Sequence, residues 1–340
     1  MDPVTHLLAG ACIARAGLNR KTVLATVTVI LAAEAPDLDL LARLRGPVFG
    51  FAHNRGFTHS FVGVVLVSAA VVCFMYTVWR FSGRRVKGPH LAPRWGLLFG
   101  FSYLAGLSHI LLDFTDNYGV RPYWPFSDRW YSWDIAFLTD PVVTLFLLGG
   151  LLLSVLSSLM NEEFERPGKP AHGRLGATLA LMGVVAIWGI RDHEHRRALH
   201  ALEARQYEGS GPVRSSAYPF WWNPYLWRGV VETPRSVATM RVDSSRQDLD
   251  PQGEMQVRYK PEETPVILAA KSTYLGRIYM NWARYPITET EPLEPGEGYI
   301  VRFKDLRFEH AGRAHYFPSA SVRLNHDLSV ADMSFGDKEQ

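Results

Sequence analysis

The chain has 340 residues, which is enough for two domains of ordinary size, and it carries a formal net charge of +3. So small a charge does not favour nucleic-acid binding, and no RNP, zinc-finger or basic-helix pattern is present. The two cysteines, Cys12 and Cys73, both lie in apolar runs, so structural disulfides and thiolate zinc sites are not expected. The start MDPVTH has no positive segment and no small-residue cleavage site, so no cleaved signal peptide is expected.

The long apolar runs are concentrated in residues 1–190, whereas residues 200–340 are polar and rich in proline and charge. The first two runs, 7–14 and 22–33, are too short to cross a bilayer, because the longer one covers only about 18 Å as a helix. We predict that they form a short helical hairpin beside the membrane spans, with residues 17–21 as its turn.

Four longer apolar runs approach the roughly 20 residues that a helix needs to cross about 30 Å of hydrocarbon. They are bounded by charged residues or by proline and glycine, and they comprise 61–79, 95–112, 141–160 and 175–190. Lysine and arginine are more frequent in the segments 15–21, 80–94 and 166–174 than in the short segments on the opposite side of these spans. By the positive-inside rule the basic side is cytoplasmic, which predicts a multi-pass protein of the bacterial inner membrane with residues 191–340 outside the cytoplasm.

In the C-terminal part, apolar and polar residues alternate in four stretches, 237–242, 255–259, 278–282 and 299–303. Turn sequences such as Asp250-Pro251 and Pro295-Gly296-Glu297-Gly298 separate these stretches. This pattern predicts a small antiparallel β domain. The predicted fold class is therefore an α-helical polytopic membrane domain (1–200) of about four spans plus the short N-terminal hairpin, followed by a β domain (201–340).

Histidines and aspartates cluster at one end of the predicted membrane segments. Placing an ionisable group in a membrane segment costs free energy, so its presence there indicates a function. The alternating course of the chain places all of them on the non-cytoplasmic side. We predict that they bind one or two divalent transition-metal ions, and the candidate ligands are His6, Asp37, Asp39, His53, His59, His109 and Asp113. Imidazole with carboxylate suits zinc, manganese or iron, with zinc and manganese favoured here, and suits copper(I) or calcium poorly. Seven ligands exceed the needs of one tetrahedral ion, so two ions bridged by a carboxylate would use them better.

Each candidate also has a structural interpretation when it is taken alone. His6 could be a satisfied polar residue at a helix end, and Asp37 with Asp39 could form a helix-terminal turn. His109 and Asp113 are four residues apart, so on a helix they could form a hydrogen-bonded pair as well as share one ion. Placing seven such groups on the same side costs free energy that structural roles alone do not explain, and this favours the metal site.

Three residues are candidates for direct roles in catalysis: Asp37, Arg55 and Glu34. Glu34 precedes the Pro36-Asp37 motif and could be a general base or a local capping residue. Arg55 lies in the same loop as His53 and His59 and could clamp a phosphate bidentately, with Arg121 assisting. Both arginines could equally be anchors that reach toward lipid headgroups.

The ordered set of motifs resembles the YdjM-like family of membrane-bound, metal-dependent hydrolases, some of which are LexA-regulated. The motifs are Thr5-His6, Pro36-Asp37-Leu38-Asp39, His53-x-Arg55-Gly56-x-Thr58-His59-Ser60 and His109-x3-Asp113. Later segments around Tyr218-Pro219-Phe220, Trp227-Arg228-Gly229 and Val301-x-Phe303-x-Asp305 are similar to longer members. The resemblance implies an inner-membrane enzyme that hydrolyses its substrate with the help of a metal ion.

Two function classes remain after the sequence has been considered. In the first, a metal-activated water hydrolyses a phosphorylated lipid or lipid-linked substrate at the extracytoplasmic membrane surface, or, as an alternative, a peptide or acyl amide. In the second, the same ligands bind or transport a divalent metal ion. Because the polar groups lie at one end of the spans, the sequence favours the enzyme. The predicted partner is membrane lipid, nucleic acid is not expected, and the oligomeric state stays open.

Overall fold

The structure is a computed structural model that describes residues 1–82, 92–163, 172–294, 296–308 and 319–336. Most of the basic residues predicted to be cytoplasmic in the second and third loops fall within 83–91 and 164–171, outside these described residues. The chain forms two compact units. The first comprises Met1–Asp39, Arg55–His193 and Pro219–Pro224, and the second comprises Leu40–Asn54, Glu194–Tyr218 and Tyr225–Gln340.

The N-terminal part of the chain is helical. Its helices are α1 (Pro3–Arg15), α2 (Ala25–Glu34), α3 (Pro47–His53), α4 (Phe61–Phe81), α5 (Trp95–Thr115), α6 (Pro141–Glu163) and α7 (His172–Glu203). Among the described residues, Phe61–Phe81, Trp95–Thr115 and Arg174–Glu203 are long and apolar enough to cross a membrane, and Pro141–Leu156 is a shorter apolar stretch. The predicted helical membrane domain with about four spans is therefore confirmed as three long apolar helices plus one shorter one.

The short helices α1 and α2 form the predicted hairpin. They approach closely at Gly10, where an added Cβ would lie 2.7 Å from the Cβ of Ala33. The turn of the hairpin lies at the start of α5, because Thr22 Oγ1 accepts a hydrogen bond of 2.8 Å from the Arg94 backbone N–H. The end of α2 lies at the other end of α5, where the Ala33 carbonyl contacts the His109 ring. The hairpin thus runs along α5 and places the residues that follow α2 beside the last turns of α5.

The helices α6 and α7 are held together by small residues and by one buried ion pair. A Cβ at Gly150 would lie 2.6 Å from the carbonyl oxygen of Gly176, so only glycine permits this close approach. Asp140 accepts hydrogen bonds of 3.1 Å from the backbone N–H groups of Val142 and Val143 and so caps the start of α6. The same carboxylate pairs with the guanidinium of Arg191 on α7, and both side chains are buried.

The Gly150 contact predicts a large difference between two adjacent substitutions. Gly150→Leu should lower the free energy of unfolding by about 1–3 kcal/mol, since the larger side chain forces α6 and α7 apart. Gly149→Leu is the matched control, because an added Cβ there meets nothing within 4 Å. Thermal unfolding in detergent micelles measures both. Equal unfolding temperatures for the two variants would contradict the packing described.

The second unit contains two antiparallel sheets. The first has the strand order β1 (Arg214–Pro219), β2 (Leu226–Glu232), β3 (Ser236–Asp243) and β4 (Asp248–Leu249), and β5 (Gln256–Tyr259) also pairs with β3. The second has the order β6 (Pro286–Pro292), β7 (Tyr299–Asp305), β8 (Ala320–Leu324) and β9 (Val330–Phe335), and α8 (Pro265–Ser272) and α9 (Tyr274–Trp282) precede it. The predicted antiparallel β domain at the C-terminus is confirmed.

One of the four predicted strand stretches is wrong. Residues 278–282 lie in α9, which begins after Thr273, whose side chain accepts a hydrogen bond from the Gly276 N–H. The large buried side chains of this helix, Leu275, Tyr279 and Trp282, are spaced three or four apart, as a helix requires. A run of only five alternating residues cannot distinguish the two periods.

The second unit also includes residues that precede α4 in the chain. Phe51 on α3 stacks on Phe335 of β9, with ring centroids 4.0 Å apart, and meets the edge of Trp282 at 5.6 Å. Residues 40–54 therefore belong with the C-terminal sheets, although they lie between two segments of the helical unit in the sequence.

Candidate metal centre

Four side chains from three segments converge at one end of α4 and α5. His109 and Asp113 lie one turn apart near the end of α5, and both are buried. Asp37 lies in the 3-10 helix Ala35–Arg45 that directly follows α2. His59 ends the 3-10 turn Phe57–His59, two residues before α4 begins.

A local hydrogen-bond arrangement fixes the position of His59. Ser60 caps α4, because its hydroxyl accepts from the Gly63 N–H at 2.9 Å and donates to the Phe57 carbonyl at 2.8 Å. An added Cβ at Gly63 would lie 1.7 Å from the Phe57 carbonyl oxygen, so only glycine fits beside this turn. The turn directs the His59 ring inward at the start of the membrane helix.

The four candidate ligand atoms have the spacing of a tetrahedral metal site. The Nε2 atoms of His59 and His109 are 3.0 Å apart, and Asp37 Oδ1 lies 3.5 Å from each of them. Asp113 Oδ2 lies 3.2 Å from His59 Nε2 and 3.5 Å from His109 Nε2. Ligands at about 2.0–2.1 Å from a tetrahedral ion are about 3.3 Å from one another. The observed separations therefore fit one small divalent ion.

The outer nitrogens of both rings are occupied in the way that metal-binding histidines require. His109 Nδ1 lies 2.6 Å from the Ala33 carbonyl oxygen, which can only accept, so Nδ1 carries the proton and Nε2 offers a lone pair to the site. His59 Nδ1 lies 3.3 Å from Asp39 Oδ2, which favours the same tautomer. A carboxylate or a carbonyl on the outer nitrogen is the usual support for a ligating histidine. Two lone pairs that face each other need a cation between them.

The carboxylates of the site also favour a bound cation. Asp113 Oδ2 is buried and accepts no hydrogen bond within the described part of the chain. Burial alone lowers the pKa of His59, but the neighbouring carboxylates of Asp113, Asp37 and Asp39 raise that pKa to about 10. The site thus holds positive charge strongly, whether as a proton or as a metal ion. The donor set, two imidazoles and two carboxylates, suits zinc or manganese.

Two further predicted ligands lie against the four but contact them from outside. His6 Nε2 is 3.2 Å from Asp113 Oδ1, the oxygen that does not face the other ligands, and its ring stacks on His109 with centroids 3.7 Å apart. Asp39 supports His59 and accepts a hydrogen bond of 2.6 Å from the Arg55 backbone N–H. In this arrangement both residues orient the ligands.

His53, the remaining predicted ligand, is an exposed residue at the end of α3 in the second unit. Its Nδ1 lies 2.9 Å from the Phe49 carbonyl oxygen, and its ring stacks on Phe49. It does not belong to the group of four that the described residues form, and its role as a ligand stays a prediction.

Arg55 is buried beside the site and binds two carboxylates. One terminal nitrogen donates to Asp116 Oδ1 at 3.0 Å and to the Gly119 carbonyl at 3.1 Å. The other donates to Asp113 Oδ1 and Asp116 Oδ2, each at 2.9 Å. This fork holds Asp113 so that its second oxygen points to the metal position. The phosphate clamp predicted from sequence stays a prediction, since the guanidinium has these partners within the protein.

Asp116 is a residue of the candidate site that sequence reasoning missed. It is fully buried, and its Oδ1 also accepts the backbone N–H groups of Tyr118 and Gly119. Its position three residues after Asp113, just past the end of α5, was an indication available in the sequence, because a second aspartate at a span end requires a cation nearby.

Glu34, a candidate general base, ends α2 three residues before Asp37. Its Oε1 is buried and has no hydrogen-bond partner among the described residues. Burial, and after it the negative charge of Asp37, raises the pKa of Glu34 to about 7. A carboxyl group with a pKa near neutrality exchanges protons readily at the working pH of a cell.

Comparisons with known proteins agree with the fold and with the motifs. The model of the family described as YdjM inner membrane protein matches residues 1–198, and that of the YfhP C-terminal alpha/beta plait domain matches residues 265–340. The chain is also similar to the uncharacterized protein YfhP of Bacillus subtilis (strain 168), with 24% identity over 305 residues, 89% of this chain and 83% of the relative. No solved structure shows a significant match. With its match over more than half of the sequence and its membrane-spanning helices, the chain belongs to the YdjM inner membrane protein family.

Proposed function

We propose that this protein is a membrane-bound, metal-dependent hydrolase with one divalent ion held by Asp37, His59, His109 and Asp113. The observation that carries the proposal is the convergence of four donor atoms, all within 4.8 Å of one another, from three buried side chains and the partly buried Asp37. Asp37 is the exposed member, with 21% of its side chain accessible against at most 1% for the other three. The site therefore opens on the Asp37 side, which is where a substrate would approach.

The chemistry expected at this position is hydrolysis. A bound zinc or manganese ion would supply Lewis acidity, which makes water a nucleophile near neutral pH. Glu34 is suited to take a proton from an attacking water and to return it to a leaving group, because its pKa is about 7. Asp39 and Arg55 orient His59 and Asp113 toward the position that the ion would occupy.

One ion is favoured over the two that seven ligands would suit. The second oxygen of Asp113, which would have to bridge to another ion, is held by Arg55 at 2.9 Å. A guanidinium in this place supplies the positive charge that a second metal would otherwise provide.

The location of the polar groups favours hydrolysis over metal transport. A transport route for a metal ion is expected to have ionisable side chains along the depth of the membrane. In α5 the part before His109 contains no acidic, basic or imidazole side chain, and α4 contains only Arg80, near its far end. The candidate site is thus confined to one end of the spans.

The substrate class that best suits such a site is a phosphorylated lipid or a lipid-linked intermediate. A metal group at the end of the membrane helices lies within reach of a polar headgroup whose acyl chains stay in the bilayer. A peptide or an acyl amide is the second candidate, since the same metal chemistry cleaves both.

Lipid analysis tests this proposal. Cells that carry the wild-type protein are compared with cells that carry the Asp37→Asn, His109→Ala double variant, and His200→Ala, an exposed histidine on α7, is the matched control. We expect one phosphorylated lipid class to accumulate only with the double variant. Purified protein in vesicles of that lipid should release the headgroup, and a chelator should stop the release. Unchanged lipids together with zinc-restored peptide cleavage would establish the peptidase instead, and metal uptake into vesicles without hydrolysis would establish transport.

A further inference from the structure

The segments that carry the metal ligands bury their polar side chains and expose their apolar ones. Asp37 and Asp39 turn inward, whereas Leu38 between them is 59% exposed. His59 is fully buried, whereas Phe57 and Phe61 on either side of it are 39% and 43% exposed. A loop that faces water has the opposite pattern, because exposing apolar surface to water is unfavourable. The surface at this end of the helical unit therefore faces surroundings that are at least partly apolar.

The loop that follows α5 continues the same surface with aromatic rings. The backbone N–H of Phe61 donates to the Pro122 carbonyl at 2.9 Å, which fixes the loop against the start of α4. The Trp124 ring meets the edge of Phe57 at 5.5 Å, and the Tyr123 ring meets that of Phe61 at 5.6 Å. Phe126, close by in the loop, is 83% exposed. We give the name aromatic rim to the five aromatic residues Phe57, Phe61, Tyr123, Trp124 and Phe126 together with the exposed Leu38.

We propose that the aromatic rim lies in the interfacial layer of the bilayer and thereby holds the candidate metal centre at the depth of the lipid headgroups. The rim is continuous with the lipid-facing side of α4, where Val62, Val65 and Leu66 are exposed. Tyr123 and Trp124 of the rim carry the amphipathic rings that membrane proteins place at this layer. The occupant of this surface is therefore bilayer lipid.

A second aromatic pair in the helical unit supports the same depth. Trp221 and Trp222 belong to the Pro219–Pro224 segment of this unit, and both indole rings are exposed. Trp221 packs against Phe137, from the same loop that carries Trp124, with ring centroids 5.5 Å apart. Two adjacent exposed tryptophans, one of them packed against that loop, are typical of an interfacial belt.

This depth defines how a substrate would reach the site. A lipid headgroup can enter from the side of the bilayer, across the rim, without leaving the membrane. This step rests on the proposed hydrolase, whereas the depth of the rim does not, so the two can fail separately.

Site-directed spin labelling measures the depth directly. Nitroxide labels are placed at Phe126→Cys and, independently, at Leu38→Cys in a Cys73→Ser background, and the protein is reconstituted in phospholipid vesicles. Leu66→Cys within α4 is the reference for hydrocarbon, and Arg246→Cys, an exposed residue of the second unit, is the reference for water. An unchanged unfolding temperature in micelles shows that each labelled protein is folded.

We expect both rim labels to be accessible to oxygen and at least threefold less accessible to a water-soluble nickel complex than the Arg246→Cys label. Accessibility to nickel equal to that of the water reference at both positions would overturn the proposal. Strong spin–spin coupling between rim labels, lost on dilution into excess lipid, would also overturn it, because a second copy of the chain would then be the occupant. Neither result depends on hydrolytic activity.

Discussion

Replacing His109 with alanine should reduce the metal content of the purified protein from about one equivalent of zinc or manganese to a small fraction of it. His109 supplies one of four donor atoms, and its Nε2 lies within 3.5 Å of the other three. Loss of a supporting residue around a metal ligand already weakens binding by about 10–100-fold. Loss of the ligand itself should therefore weaken binding by more than about 100-fold, beyond what purification retains. Elemental analysis after dialysis against a weak chelator measures the effect.

Two controls make this result specific. His200→Ala removes an exposed histidine of α7 and should leave the metal content unchanged. His53→Ala distinguishes the one-ion site from the two-ion site that seven ligands would build. A full equivalent retained by His53→Ala supports the group of four, whereas loss of half the metal from a two-equivalent protein restores His53 as a ligand. An undiminished metal content in the His109→Ala variant would refute the site.

The membrane helices were predictable because a bilayer imposes a simple constraint of length and composition. A run of apolar residues such as 61–79 has few alternatives to a spanning helix. The hairpin of α1 and α2 followed from the same argument, since its runs are too short to span. The strands were predictable where alternation extended through a whole strand, as in β3 and β7, and the prediction failed at 278–282, where five residues were too few.

The assignment of residues 40–54 to the second unit could not be predicted from the sequence. It depends on contacts such as the stacking of Phe51 on Phe335, between residues at opposite ends of the chain. Periodicity within a segment indicates whether an apolar face exists, but it does not indicate which distant surface covers that face.

The candidate site was predictable as a set of residues and not as an arrangement. Histidine and aspartate at the ends of several spans indicated a metal site, and the structure brings Asp37, His59, His109 and Asp113 together. The division between ligands and supporting residues depends on single atoms, such as which nitrogen of His109 meets the Ala33 carbonyl. Residue type does not encode that choice. The role of Arg55 was equally hidden, because its partner Asp116 had not been recognised.

Replacing Arg55 with methionine should lower the free energy of unfolding of the metal-free protein by about 3–5 kcal/mol, because two buried carboxylates then lose the guanidinium that pairs with both of them. Arg55 is 5% exposed, and its guanidinium makes four hydrogen bonds of 2.9–3.1 Å, three of them to Asp113 and Asp116. Methionine keeps most of the volume, so the loss reports the charge and its hydrogen bonds. Arg55→Lys should recover only part of it, since an ammonium cannot reproduce the planar fork. Chemical unfolding in micelles with a chelator present measures all three proteins.

Combining Arg55→Met with Asp116→Asn separates the ion pair from the general loss of an arginine. The amide introduced by Asp116→Asn carries no charge for Arg55 to neutralise, so the double variant should be more stable than the sum of the single losses predicts, by about 1–3 kcal/mol. Arg129→Met is the matched control: Arg129 is an exposed arginine in the same loop as Asp116, stacked on Tyr131, and its loss should change stability by less than about 0.5 kcal/mol. Strict additivity of the two single variants would show that Arg55 and Asp116 do not interact, and the fork that orients Asp113 toward the metal position would then have to be abandoned.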